Sequence, residues 1–152
     1  MKYSKMLMFA LVALLVSNVA AFAQNADAIV GLWAPSSGKA RVQIFKQGEK
    51  YMGRIVWLRE PVDPATGKPK VDKNNEDEAK RSKPLLGYML LDNFVFKSED
   101  KLWEDGTIYD PENGSTYKCK INMPDNNTLD VRGFIGVSLF GRTDTWKRLQ
   151  IK

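Results

Sequence analysis

The sequence has no histidine and a single cysteine, Cys119, among its 152 residues. Without an imidazole, Ser-His-Asp and Cys-His catalysis and histidine-bound zinc are all excluded, since each uses that ring to move a proton or hold the metal. One cysteine cannot form an intrachain disulfide. No long stretch repeats its apolar residues at the helical period. The one apolar run, Met6 to Val16, falls short of the roughly 20 residues that cross a bilayer. Charge of one sign is lacking too. The 23 Lys and Arg against 18 Asp and Glu give a formal charge of +5. Acids and bases are interspersed, which is not the concentrated basic face of a nucleic-acid binder. The glycines of RGFIGVSLFGRT make neither a G-x-G-x-x-G cradle nor a P-loop with its lysine. They fit bulges and tight corners better. No cofactor and no metal site is assigned.

What is present starts with a leader. Lys2 and Lys5 precede an apolar segment, which ends on Ala21-Phe22-Ala23 with small residues at both key positions. This is the layout of a secretory signal peptide over residues 1–23. Cleavage would leave Gln24 at the new N-terminus, so no cysteine is offered there for lipid attachment. It would also leave a single domain over residues 24–152 with a formal charge of +3, because Lys2 and Lys5 depart. The expectation is a soluble exported protein, periplasmic or secreted, without a transmembrane segment after cleavage.

The rest alternates. In TYKCKINM, Tyr117, Cys119, Ile121 and Met123 share one face and Thr116, Lys118, Lys120 and Asn122 the other, as in a half-buried strand. TLDVRG repeats the pattern after the turn PDNN, and the two read as a hairpin. Ala40 to Lys46 and Tyr51 to Leu58 form a second pair across a turn at Gly48. Further strands are expected over Leu85 to Leu91, with Gly87 as a bulge, then over Asn93 to Phe96, through Trp103 and Thr107 to Asp110, over Phe134 to Phe140 and over Arg142 to Leu149.

Two polar segments interrupt the strands. In DPENG, Asn113-Gly114 between strands predicts a type I′ hairpin, and Pro111 cannot continue a central ladder. Asp110, Asn113 and Gly114 are therefore turn residues. The segment lacks the spacing of a calcium loop. Glu60 to Pro84 is long and charged. Its second half suits a short helix, capped by Asn74 or Asn75, with Glu76, Asp77 and Glu78 in the first turn and Lys80 and Arg81 in the last.

Gly31-Leu32-Trp33 before an antiparallel meander resembles the start of the calycin superfamily, which includes lipocalins and avidins. There the Trp closes one end of the barrel near a basic residue on the last strand. The resemblance implies Trp33 with Arg142 or Arg148 in that role. GLWAPSSGKARVQIF, RSKPLLGYMLL, GTIYDPENGSTYKCK and VRGFIGVSLFGRTDTWKRL together resemble the bacterial exported domain of unknown function family 2147. That likeness implies a small β-barrel behind a signal peptide and implies no activity. In lipocalins the lid joins the first two strands, whereas the long segment here is expected after the second.

The fold expected is all-β: an antiparallel meander closing into a calycin-like barrel of about eight strands, with one long charged loop holding a short helix. Such a barrel is either filled by its own side chains or leaves room for one small ligand. Trp57, Tyr88, Trp103, Tyr109, Tyr117 and Phe134 are the candidate ligand-contacting aromatics. The leading functional expectation is a non-enzymatic module taking a small apolar or amphipathic ligand. The alternative is an envelope-associated structural or protein-interaction module that presents the 60–84 loop. A third reading, a hydrolase using two of Glu104, Asp105, Asp110 and Glu112, needs carboxylates that converge on a cleft.

Overall fold

Period-two alternation with one apolar face can only be buried by rolling the sheet onto itself or stacking it on a second layer. A computed structural model, which describes residues 25–150, shows that it rolls. The leader expected over residues 1–23 lies outside the described residues. Eight strands follow one another: β1 (Gly31–Ala34), β2 (Ala40–Gln47), β3 (Lys50–Leu58), β4 (Met89–Lys97), β5 (Leu102–Asp110), β6 (Ser115–Asp125), β7 (Thr128–Phe134) and β8 (Gly141–Arg148). They form a closed barrel in chain order. Closure runs through β1 and β8, with Trp33 opposite Arg148 and Ala34 opposite Lys147. Among the described residues, no edge strand is left to recruit another chain.

In a meander, alternate connections fall at the same end. The short turns β2–β3, β4–β5 and β6–β7 lie at one end. The β1–β2, β3–β4, β5–β6 and β7–β8 connections lie at the other. The first end is plugged by a 3-10 helix, Ala26–Ile29, whose N-cap Asn25 accepts a hydrogen bond from the Asp27 amide. The indole N–H of Trp33 donates to Ile29 O at 2.9 Å, and that of Trp103 donates to Ala26 O at 3.0 Å. Both rings are fully buried. Arg148 lies over Trp33, 4.2 Å from the ring centroid. Its guanidinium donates to the carbonyls of Asn126, Val30 and Ala28. Gly31 must be glycine here: its φ is +149°, and a Cβ would stand 2.5 Å from Arg148 Nη1. The G-x-W start is thus a packing requirement set from the far end of the chain. Of the two arginines considered, Arg148 makes this contact. Arg142 pairs with Gly133 at the opposite end of β8.

Several boundaries differ from the sequence reading, each for a local reason. β4 begins only at Met89, and its irregularity sits at Asn93 (φ 62°) rather than Gly87. The break lets Leu91 and Phe94 both face inward against Gly53 and Tyr51. Residues 135–140 are a loop, not a strand, because β7 ends at Phe134. Gly-Leu-Trp is itself β1, so the long segment follows the third strand, not the second. Its helix shrinks to one 3-10 turn, Glu78–Lys80, capped by Asp77. Among the described residues, no helix is long and apolar enough to cross a membrane.

Candidate ligand cavity at the open end

The barrel is filled in one half only. At the plugged end Trp33, Trp103, Phe94, Ile44, Ile121 and Leu129 are nearly or fully buried. Towards the other end the inward side chains shorten. Ile55, Leu90, Ile108 and Val131 leave a cavity of about 1180 Å³ that opens to solvent. Trp146 belongs to its wall, with its N–H held by Asp144 Oδ2 at 2.8 Å. Gly133 adds width, since it contributes no side chain to a wall shared with Ile108 and Tyr117.

The candidate aromatics divide. Tyr109, Tyr117 and Phe134 line the cavity. Trp57, Tyr88 and Trp103 do not. Trp103 is part of the plugged end. Trp57 should point inward by strict alternation after Tyr51, Gly53 and Ile55. A bulge breaks that phase: Val42 faces Ile55 while Arg41 faces Trp57, so Val56 is the extra residue. Trp57 is turned outside, 4.6 Å beneath the Arg41 guanidinium. Tyr88 precedes β4 and stacks on Tyr109 at 5.2 Å, outside the main cavity. The aliphatic wall residues were missed in the sequence because Ile, Leu and Val in a strand look the same whether they face a core or a void.

The long segment forms part of the rim and is clasped in place. Asp72 is completely buried. It accepts hydrogen bonds from Tyr109 O–H at 2.6 Å and from Asn75 Nδ2 at 2.6 Å. Asn75 also donates to the Tyr88 hydroxyl. Burial, then the Asp72 carboxylate, pushes the Tyr109 phenol well above its usual range. The turn in DPENG is the second anchor. Asn74 Nδ2 donates to Pro111 O and Glu112 O, each at 3.0 Å. Gly114 is needed because a Cβ there would overlap Asn74 O.

This turn is not type I′. It has four residues, 111–114, Gly114 (φ 78°) has positive φ and Asn113 does not, and the Gly114 amide donates to Asp110 O at 2.8 Å. A four-residue loop starting on Pro111, whose φ is fixed negative, does not need two left-handed residues. Asp110 Oδ1 accepts from the Glu112 amide, and Asn113 caps Ser115 and reaches the Tyr117 hydroxyl. Glu112 forms an exposed ion pair with Lys39 across the rim.

The four acids weighed for hydrolysis do not converge. Asp105 pairs with Lys97 at 2.7 Å near the plugged end. Asp110 and Glu112 stand at the open end, about 20 Å along β5 from Glu104 at strand rise.

The family described as "Uncharacterized protein conserved in bacteria (DUF2147)" matches residues 31–148, the whole barrel from β1 to β8. The chain belongs to this family. A solved structure described as "Protein HP1028 from the human pathogen Helicobacter pylori belongs to the lipocalin family" is similar over 80% of this chain and 82% of that chain. It has a TM-score of 0.66 at 23% identity, a likeness of fold. No curated protein matches the chain. The neighbour agrees with a lipocalin-like barrel fold, and neither description names a reaction.

Proposed function

We propose that this family member is an exported, non-enzymatic binding protein that takes a small apolar or amphipathic ligand in the open half of its barrel. One observation carries the reading: the cavity of about 1180 Å³ has an aliphatic and aromatic inner wall and a charged rim. Small-molecule sites enclose roughly 300–1,000 Å³ and are lined mainly by apolar side chains with a few polar groups. The rim supplies those groups as Lys39, Arg59, Lys73, Arg142, Glu112 and Asp144. An apolar tail would lie against Ile55, Ile108 and Val131, and a polar head would stay among the rim charges.

The clasping of the 60–84 segment by Asp72, Asn74 and Asn75 supports its role as a wall of the site rather than an arm offered to a partner. Native mass spectrometry of protein purified from its own host should find a retained small molecule. An empty barrel that also fails to take up an apolar fluorescent probe would refute the reading. Export is tested by intact mass: the expected product starts at Gln24.

A further inference from the structure

Most large apolar side chains of the described residues point inward, and the four most exposed all sit in the β7–β8 connection. Ile135, Val137, Leu139 and Phe140 are 72%, 59%, 78% and 73% exposed. They occupy one six-residue loop at the cavity mouth. A contiguous apolar patch of this kind on a monomer marks an interaction site.

Several polar atoms of the same loop are held by the barrel or by the loop itself. Arg132 Nε donates to Ser138 O at 2.7 Å, and its Nη2 donates to Leu139 O at 3.2 Å. The Phe140 amide donates to Val137 O at 3.1 Å. Ser138 Oγ, the only polar side-chain atom of the loop, accepts from Lys120 Nζ at 3.4 Å. Arg132 is itself fixed by Thr143 Oγ1 at 2.9 Å. The loop therefore holds its shape while showing hydrocarbon outward.

We propose that this loop is a docking tip for the surface of an anionic lipid bilayer, with its four apolar side chains inserted among the acyl chains. The inference goes beyond the reading of the cavity and stands without it. Three features select a bilayer over a protein. Acyl chains offer no hydrogen bonds, so polar backbone at a penetrating tip is better held by the protein, and Arg132 holds two of the loop's carbonyls, Ser138 O and Leu139 O. The tip is small: four such side chains offer on the order of 500 Å², short of the roughly 800 Å² per partner of a stable protein interface. Its root is cationic. Lys118 pairs with Phe134 and Lys120 with Arg132 on adjacent strands, and Arg142 faces Gly133 on the next.

Two acids on the same strands have hydrogen-bond partners of their own. Asp130 accepts from Thr145, and Asp144 accepts from Trp146. Clustered Lys and Arg beside an apolar tip are attracted to anionic headgroups. Ile135, Leu139 and Phe140 also line the cavity mouth, so a docked tip brings the mouth to the lipid.

Vesicle flotation tests this with the exported chain, using phosphatidylcholine alone or mixed with phosphatidylglycerol. The wild type should float with the mixed vesicles. The double variant Leu139→Ser/Phe140→Ser should lose at least about tenfold in partitioning, with unfolding unchanged because both side chains are exposed. Lys118→Glu should weaken it several-fold. Phe140→Trp should shift its emission to shorter wavelength only when anionic vesicles are added. Equal flotation of wild type and double variant overturns the proposal, as does binding indifferent to phosphatidylglycerol. A concentration-dependent dimer abolished by the double variant also overturns it, since that assigns the tip to a second copy. None of these readouts depends on a ligand in the cavity.

Discussion

Replacing Arg148 with lysine should destabilise the barrel by about 2–5 kcal/mol while leaving it folded. The guanidinium makes three hydrogen bonds to the carbonyls of Ala28, Val30 and Asn126 at 2.6, 3.0 and 2.6 Å, and it covers the Trp33 ring. A lysine keeps the charge and can satisfy one of those carbonyls, but it loses the planar fork. Two lost charge-assisted hydrogen bonds cost about 1.5–3 kcal/mol each when buried. Arg148 is only part-buried, so water recovers roughly half. Loss of the stack adds about 0.5–2 kcal/mol. Urea titration should show a lower midpoint at unchanged slope. A double-mutant cycle with Trp33→Phe should give a coupling of at least about 0.5 kcal/mol. A total loss under about 0.5 kcal/mol would refute the claim that Arg148 joins the plug to the closing strands.

Three other expectations follow from single sites. Burial pushes the Cys119 thiol up to about 12, so a thiol reagent should label the native protein far more slowly than the urea-unfolded one; prompt native labelling would place β6 with the wrong face inward. Tyr51 is raised to about 12 by burial and by its hydrogen bond to Asp27, while an unfolded tyrosine ionises near 10. Its contribution is therefore complete below pH 10 and lost as pH rises towards 12, and Tyr51→Phe should flatten that part of the urea-midpoint profile. Asp72→Asn places an amide where two donors converge and should cost about 1–3 kcal/mol, with faster proteolysis confined to residues 60–84; an unchanged digest would show that the clasp does not hold the segment.

Much of the architecture was legible because alternation has only one phase per strand. TYKCKINM commits Cys119 and Ile121 to the interior whatever the neighbouring strands do. Closure was legible from Gly-Leu-Trp through its resemblance, but the choice between Arg142 and Arg148 was not. That choice depends on which end of β8 meets β1, a register fact without a local signal. Trp57 was misassigned because a bulge requires no particular residue, and Val56 looks like any strand valine. The clasp was hidden for a different reason. Asp72 lies in a charged stretch whose composition suggests solvent, and only long-range contact with Tyr109 reveals that it is buried. Residues 135–140 read as strand because apolar runs favour strands, whereas the glycine at 136 takes φ 71° and the chain turns out.

The aromatic plug has a consequence for traffic through the molecule. Trp33, Trp103 and the 3-10 helix plug one end, and the cavity opens to solvent towards the other. On the proposed reading, an occupant would enter and leave at the open end. On the proposed reading, the depth of the cavity would also select for ligand length. A ligand shorter than that depth would be enclosed up to the rim charges, whereas a longer one would project its remainder between Arg142, Lys39 and the apolar loop. Changing the inner wall at Ile55 or Val131 would then alter the length preferred, and changing Lys39, Glu112 or Arg142 at the rim would alter which head is accepted, so the two properties are open to separate variation.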